Sequence, residues 1–181
     1  MDVVSGNLLE IEEGIICHQV NCQGVMGAGV AKAIASRYPQ VLSAYRELCD
    51  TPTPWQLLGQ IQDVRASSTL TVINLFGQES YSRSRRATSY DAVDIAWKQI
   101  GAIWADDRIH VPHSMGCGLG GGIWSIYSAI VDAHHPDVVA VDEAAGAALA
   151  VGGGHQRVAV VEVARQPLQR LAHRRLAAGI G

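Results

Sequence analysis

Charged residues are scarce in this sequence, and its positive residues do not form one long run. Only 17% of the 181 residues are charged, and 14 Lys and Arg against 17 Asp and Glu leave a formal net charge of −3. Proteins that bind nucleic acid without sequence preference carry a basic patch or stripe that follows the phosphate backbone. We therefore expect no sequence-independent binding of nucleic acid.

Long apolar segments are also missing. A transmembrane helix needs about 18 or more consecutive apolar residues, and no such run occurs here, although 48% of the residues are hydrophobic. The first residues, MDVVSGNLLEIEE, are acidic where a secretory signal would be basic and then apolar. The sequence therefore predicts a soluble, cytoplasmic protein without a membrane partner.

Cysteine is too sparse for a disulfide or zinc framework. The chain has four cysteines, Cys17, Cys22, Cys49 and Cys117. Without an export signal they are expected to be reduced thiols, and no second pair follows Cys17 and Cys22 to complete a zinc site. His110, His113 and Cys117 are a weak metal-ligand alternative, because a strand running into a loop rarely aims three side chains inward. We expect no metal and no cofactor.

Glycine is what the chain has in abundance, and its placement is informative. Of 19 glycines, three fall between Gly24 and Gly29 and five between Gly116 and Gly122. Each cluster follows an apolar, strand-like run and precedes a helix-like segment, which is the arrangement that offers backbone N–H groups to an anion. Two such loops at one edge of a parallel sheet predict a diphosphate held from both sides.

The order of elements predicts an α/β fold with three layers and a mixed, mostly parallel sheet. Strands are predicted at Ile15–Val20, Leu58–Val64, Thr69–Phe76, Ile109–Val111 and Asp137–Val141. Helices are predicted at Ala28–Arg37, Val41–Leu48, after a cap at Thr88 or Ser89, and at Ile123–Val131. Residues 1–142 are expected to form one domain.

The C-terminal part of the chain differs in composition. Phe, Tyr and Trp are missing after Ala133, where Ala and Gly dominate. We interpret residues 143–181 as an Ala-, Gly- and Arg-rich extension, with a possible strand at Val158–Val163 and a possible helix at Leu168–Ala178.

Known nucleotide motifs do not match the two loops. A P-loop needs Gly-Lys-Ser/Thr at the start of its helix, and neither loop has this triplet. The dinucleotide fingerprint GxGxxG would require a glycine where Lys32 follows Gly27 and Gly29. A nicotinamide dehydrogenase is therefore disfavoured.

Three segments in order resemble the macrodomain family. They are SGNLLE (Ser5 to Glu10), HQVNCQGVMGAGVAKAIASRYP (His18 to Pro39) and PHSMGCGLGGGIW (Pro112 to Trp124). The resemblance covers about residues 3 to 141 and is nearest the branch of ADP-ribose 1″-phosphate phosphatases and terminal ADP-ribose glycohydrolases. It implies the α/β/α macrodomain fold and, as partner, ADP-ribose or an ADP-ribosylated substrate.

The resemblance also implies a set of site residues. Asn7 stands where many macrodomains place an Asp on the adenine amino group, and Asn21 matches an asparagine at the terminal ribose. Phe76 or Tyr81 is a candidate to cover the adenine or a ribose. The implied ligand-binding residues are Gly6, Asn7, Leu8, Gly27, Ala28, Gly29, Val30, Ser114, Gly116, Cys117, Gly118, Leu119 and Gly120, and the implied catalytic residues are His18 and Asn21.

The implied chemistry departs from part of the branch. Terminal glycohydrolases use a lysine and an aspartate, but the matching positions hold Gln78 and Gly120, neither of which can act as a nucleophile or an acid. His18 coincides with a histidine of the phosphatases and would activate water or attack a 1″-phosphate; alternatively, it is a core histidine. The sequence thus favours a hydrolase acting on ADP-ribose 1″-phosphate or ADP-ribosyl groups, with a non-catalytic ADP-ribose reader as the alternative.

Overall fold

A six-stranded sheet organises the computed structural model, which describes residues 1–81 and 85–143. The strands are β1 (Asp2–Ser5), β2 (Gly14–Asn21), β3 (Ile61–Arg65), β4 (Leu70–Gln78), β5 (Ile109–Pro112) and β6 (Val139–Asp142). The helices are α1 (Gly29–Arg37), α2 (Pro39–Cys49), α3 (Tyr90–Ile103) and α4 (Trp124–His134). Short 3₁₀ turns occur at Leu8–Glu10 and Pro54–Leu57.

The sheet order is β1-β6-β5-β2-β4-β3. Every neighbouring pair is parallel except β3 and β4, which are antiparallel. The prediction of a mixed, mostly parallel α/β sheet is therefore confirmed.

Helices cover both faces of the sheet and divide the core in two. Cys17 and Ile73 face the layer of α3 and α4, where Trp97 and Tyr127 are fully buried. Val72 faces the layer of α1 and α2. Strands covered on both faces are apolar at nearly every position, and β4 is buried from Leu70 to Gly77 for this reason.

Local signals set the helix starts. Pro39 occupies the first turn of α2, where the missing proline N–H costs no hydrogen bond. Of the two predicted caps, Ser89 is the one that begins α3, since its side chain accepts a hydrogen bond from the Ala92 N–H. Ile123 precedes α4 as an extended residue rather than belonging to it.

One sequence prediction needs correction, and one strand escaped prediction. The strand predicted from Leu58 begins at Ile61, because Pro54–Leu57 form a 3₁₀ turn and Gly59 turns the chain with a φ of 84°. Strand β1 was not predicted, because it is short and mostly exposed and so carries no periodic apolar signal. The predictions at Val158–Val163 and Leu168–Ala178 lie outside the described residues.

The ladder between β2 and β5 is short. Two residue pairs form it, Ile15 with Ile109 and Ile16 with His110, whereas β2 pairs with β4 along its whole length. The carboxyl-terminal halves of β2 and β5 are therefore not joined by strand pairing.

None of the helices within residues 1–81 and 85–143 is long and apolar enough to cross a membrane.

Candidate functional site

A cavity of about 460 Å³ lies at the carboxyl ends of β2, β4 and β5. It occupies the side of the sheet where the β2–β5 ladder has ended, and both glycine loops reach it. The predicted site residues that line it are His18, Asn21, Gly27, Ala28, Gly29, Val30, Ser114, Gly116, Gly118, Leu119 and Gly120. Further lining residues that sequence reasoning did not assign to the site include Gln19, Val25, Ala31, His113 and Met115.

Four predicted ligand-binding residues do not line this cavity. Gly6 and Asn7 line a second cavity of about 220 Å³, while Leu8 is fully buried in the core. The Asn7 side-chain oxygen accepts a hydrogen bond from the Leu9 N–H at 2.9 Å and so caps the following turn. Cys117 is half-buried, and its thiol contacts the Met115 carbonyl.

Asn21 ends β2 and shapes the first glycine loop. Its Oδ1 accepts hydrogen bonds from the Gln23 N–H at 2.8 Å and from the Tyr45 hydroxyl at 2.9 Å. Its Nδ2 donates to the Val25 carbonyl. Both ends of the amide are thus engaged within the protein, so Asn21 fixes the loop path.

The start of α1 lies at the cavity, and its first N–H groups donate to no described residue. Ala28 is the N-cap residue, and its side chain cannot accept the hydrogen bond that a Ser or Asp would. Gly27 to Ala31 line the cavity, and Gly29 has a φ of 56°, a conformation that favours glycine. The first helical turn therefore offers free donors and the positive end of the helix dipole.

Hydrogen bonds from Ala87 and Thr88 hold the second glycine loop in place. The Thr88 hydroxyl donates to the Gly116 carbonyl at 2.7 Å, and the N–H groups of Ala87 and Thr88 donate to the Gly120 carbonyl at 2.9 and 3.0 Å. These bonds occupy the Gly116 and Gly120 carbonyls. The N–H groups of Gly118, Leu119 and Gly120, by contrast, donate to no described residue. The loop thus supplies a second set of donors to the same cavity.

Carboxylate, ammonium and guanidinium groups are missing from the described part of the cavity wall. Arg86 lies close to Gly121 of the second loop, but its guanidinium stacks over the Tyr90 ring at 4.4 Å. Among the described lining residues, backbone N–H groups are therefore the donors available to a negatively charged ligand.

His18 is a buried histidine in the cavity wall. It is 1% exposed, and its Nε2 lies 2.7 Å from Oδ1 of Asn74. Burial lowers the pKa of His18 to about 4, so the ring is neutral under physiological conditions. Its Nδ1 is buried without a hydrogen-bond partner among the described residues.

Gln78 lines the cavity at the position where the resemblance expects a lysine. Its Oε1 accepts a hydrogen bond from Gln19 Nε2 at 2.9 Å, and its Nε2 donates to the Ser80 carbonyl at 2.9 Å. Gln19 also donates to Thr88. This amide network stabilises the end of β4 and joins it to the second loop.

The two aromatic candidates for covering the ligand, Phe76 and Tyr81, differ in exposure. Phe76 is fully buried and packs 5.9 Å from the ring of Tyr45, so of the two alternatives it is the one that cannot cover a ligand. Tyr81 is 58% exposed and lines the cavity. Trp124 packs between His113 and Tyr127, with ring centroids at 5.0 and 6.2 Å, and supports the second loop from the core side.

The thiols and histidines form no metal centre in the described ranges. No group of three or more His, Cys, Asp or Glu side chains is placed there to hold an ion. Burial raises the pKa values of all four cysteine thiols.

Ser114, at the start of the second glycine loop, has a φ of 59°, and its hydroxyl lies 3.3 Å from His113 Nδ1.

Sequence comparison finds a short match. No protein-family model matches the chain. A stretch of 45 residues is 42% identical to a DNA ADP-ribosyl glycohydrolase of Mycobacterium tuberculosis and to that of Mycobacterium bovis, covering 25% of this chain. The match spans only 13% of the length of these relatives.

Structural comparison covers more of the chain than sequence comparison does. The macrodomain of Mycobacterium tuberculosis DarG superposes with a TM-score of 0.63 at 22% identity, covering 78% of this chain and 96% of that one. Thermosipho africanus DarTG, solved in complex with ADP-ribose, superposes with a TM-score of 0.65 at 16% identity, covering 94% of this chain and 44% of that one. At these identities the comparison establishes a shared fold.

Proposed function

We propose that this chain, which has the macrodomain fold, binds ADP-ribose in the cavity between its two glycine loops. The observation that carries the proposal is the presence, on one cavity, of two independent sets of backbone donors that have no partner among the described residues. The first turn of α1 and the segment Gly118 to Gly120 face the same space from different strands. A diphosphate has oxygens on two adjacent phosphorus atoms and fits this pairing.

The size and chemistry of the cavity support the same ligand. Its 460 Å³ falls within the range of about 300–1,000 Å³ found for small-molecule sites. The cavity continues past the loops to His18 and Gln78, which we propose lie near the terminal ribose. We propose Asn7 for the adenine amino group and Gly6 as its neighbour in the ligand site, on the resemblance alone, whereas Leu8 is fully buried and contacts no ligand.

Recognition without turnover is the activity that the geometry supports best. The described cavity wall offers no carboxylate and no amine, and Gln78 is held by Gln19 and Ser80 in place of a lysine. The carboxamide of Gln78 can serve neither as an acid nor as a nucleophile.

A titration with matched nucleotides tests the ligand. ADP-ribose is expected to bind with micromolar Kd in calorimetry. ADP, which lacks the terminal ribose, and NAD, in which nicotinamide occupies that ribose, are expected to bind at least about 10-fold more weakly. Equal affinity for NAD would instead favour a dinucleotide site, and lack of ADP-ribose binding would reject the proposal.

Hydrolysis of a terminal-ribose derivative is the second candidate, and His18 is the observation that favours it. His18 is one of the residues that line the cavity, its ring is neutral, and its buried Nδ1 is unpartnered among the described residues. In ADP-ribose 1″-phosphate, water would attack phosphorus and break the P–O bond, giving ADP-ribose and phosphate, while Nδ1 accepts the proton of the water. The pKa of about 4 makes His18 a weak base for this step.

A phosphate-release assay separates the two candidates. If the hydrolase operates, the wild type releases phosphate from ADP-ribose 1″-phosphate and His18→Ala releases none. Loss of one hydrogen bond is worth about 1 kcal/mol, so the variant should still bind ADP-ribose within about 10-fold of the wild type. Release by neither protein supports the reader, and equal release by both excludes a role for His18.

A further inference from the structure

Three polar side chains form a row across neighbouring strands of the sheet. His18 of β2 lies opposite Asn74 of β4, and Asn74 lies opposite Gln62 of β3. His18 and Asn74 are buried, and the row lies beneath α2, since Gln62 reaches the Ala44 carbonyl of that helix. Buried polar groups are retained in cores only when their hydrogen bonds are made, so the direction of each bond can be worked out.

A backbone carbonyl at the end of the row fixes that direction. The Ala44 oxygen can only accept, so the Gln62 atom 3.0 Å from it must be the amide nitrogen. Gln62 then presents its oxygen to Asn74, which donates through Nδ2 at 3.0 Å. Asn74 in turn presents Oδ1 to His18, and the His18 nitrogen at 2.7 Å must carry the hydrogen.

The row therefore determines the tautomer of the imidazole. A neutral imidazole has one N–H and one lone pair. With the hydrogen on Nε2, the lone pair is on Nδ1, which is buried and unpartnered within the described part of the chain. A buried acceptor without a partner is costly, and His18 is one of the residues that line the cavity, so a bound ligand can supply the missing donor.

We propose that the Ala44 carbonyl, acting through Gln62 and Asn74, fixes His18 as the Nε2–H tautomer, so that Nδ1 accepts a hydrogen bond from a hydroxyl group of the bound ligand. The ligand part of this inference rests on the proposed function, and the tautomer part does not. Asn74 and Gln62 are positioning residues that act through His18. The site then selects ligands with a hydroxyl at this point and disfavours those that present only acceptors.

The tautomer can be read directly by ¹⁵N–¹H correlation of the imidazole rings, with His18→Gln used to assign the His18 signals among the seven histidines. The ligand-free wild type is expected to show Nε2 protonated and Nδ1 bare. Saturating ADP-ribose is expected to shift Nδ1 in the direction of an accepted hydrogen bond. A Nδ1–H tautomer in the free protein overturns the proposal, as does an unmoved Nδ1 in protein that binds ADP-ribose.

A variant remote from the cavity tests the relay. Gln62→Met keeps the length of the side chain but removes the donor to Ala44, so Asn74 is free to turn over and His18 should become a mixture of tautomers. ADP-ribose affinity should fall by about 3- to 10-fold. Gln60→Met, on the exposed residue just before β3, is the matched control and should leave both readouts at the wild-type values.

The two failures are distinguishable. His18 signals that do not change in Gln62→Met overturn the relay, whether or not ADP-ribose binds. Wild-type protein with the expected tautomer that does not bind ADP-ribose rejects the proposed function and, with it, the ligand part of the inference.

Discussion

Gly116→Ala is expected to lower the free energy of unfolding by about 3 kcal/mol and to remove measurable ADP-ribose binding, because strain and overpacking act together. Gly116 has a φ of 72°, which L side chains rarely adopt. A Cβ there would lie 2.6 Å from Gln19 Oε1 and 2.7 Å from Tyr127 Cε2. Tyr127 is fully buried, and hydrogen bonds to Gln78 and Thr88 hold the Gln19 amide in place. The second loop must therefore move.

Gly118→Ala is the matched control for stability, two positions further along the same loop. A Cβ at Gly118 would meet nothing within 4 Å, and the residue is not in the left-handed region. Its free energy of unfolding, measured by urea denaturation, should stay within about 0.5 kcal/mol of the wild type. If Gly116→Ala is as stable as Gly118→Ala, the loop is not fixed as the structure describes it.

Ala28→Asp is expected to change stability and ligand affinity in opposite directions. Ala28 has φ −151° and ψ 163°, the extended conformation of an N-cap residue, but makes no side-chain cap. A carboxylate there should cap α1 and raise the free energy of unfolding by about 1 kcal/mol. The same charge would stand where the diphosphate is proposed, and repulsion of a few kcal/mol at an effective dielectric of about 20 lowers affinity by about 100-fold or more.

Ala28→Asn separates the charge from the cap. Asparagine caps a helix about as well as aspartate and is nearly isosteric with it, but is neutral. Its stability gain in thermal denaturation should match that of Ala28→Asp, while its Kd for ADP-ribose in calorimetry should stay far closer to the wild type. Equal affinities for the two variants would contradict an anion at the start of α1.

The sequence predicts those parts of the structure that depend on residues close together along the chain. The glycine loops follow their strands closely, so the sequence alone predicts that Gly27 to Val30 and Gly116 to Gly120 lie at one edge of the sheet. What it missed depends on register between distant segments. His18, Asn74 and Gln62 meet because β2, β4 and β3 are neighbours in this order, and no spacing along the chain reveals that alignment.

The same limit applies to individual side chains. Asn21 was assigned to the ligand by resemblance, but the sequence gives no sign that Tyr45, from the middle of α2, binds its amide. Phe76 looked available because it ends an apolar run. Its exposure depends on which face of β4 the helix α2 covers, and the ring of Tyr45 buries it.

The short β2–β5 ladder has a mechanical consequence. Strands β1, β6 and β5 form one half of the sheet and β2, β4 and β3 the other, and the halves share only two residue pairs of strand hydrogen bonding. The first glycine loop belongs to one half and the second to the other. A molecule held by both loops would connect the two halves of the sheet at the carboxyl ends of β2 and β5. It would resist sliding of one half against the other there, where no hydrogen bonds join the two strands.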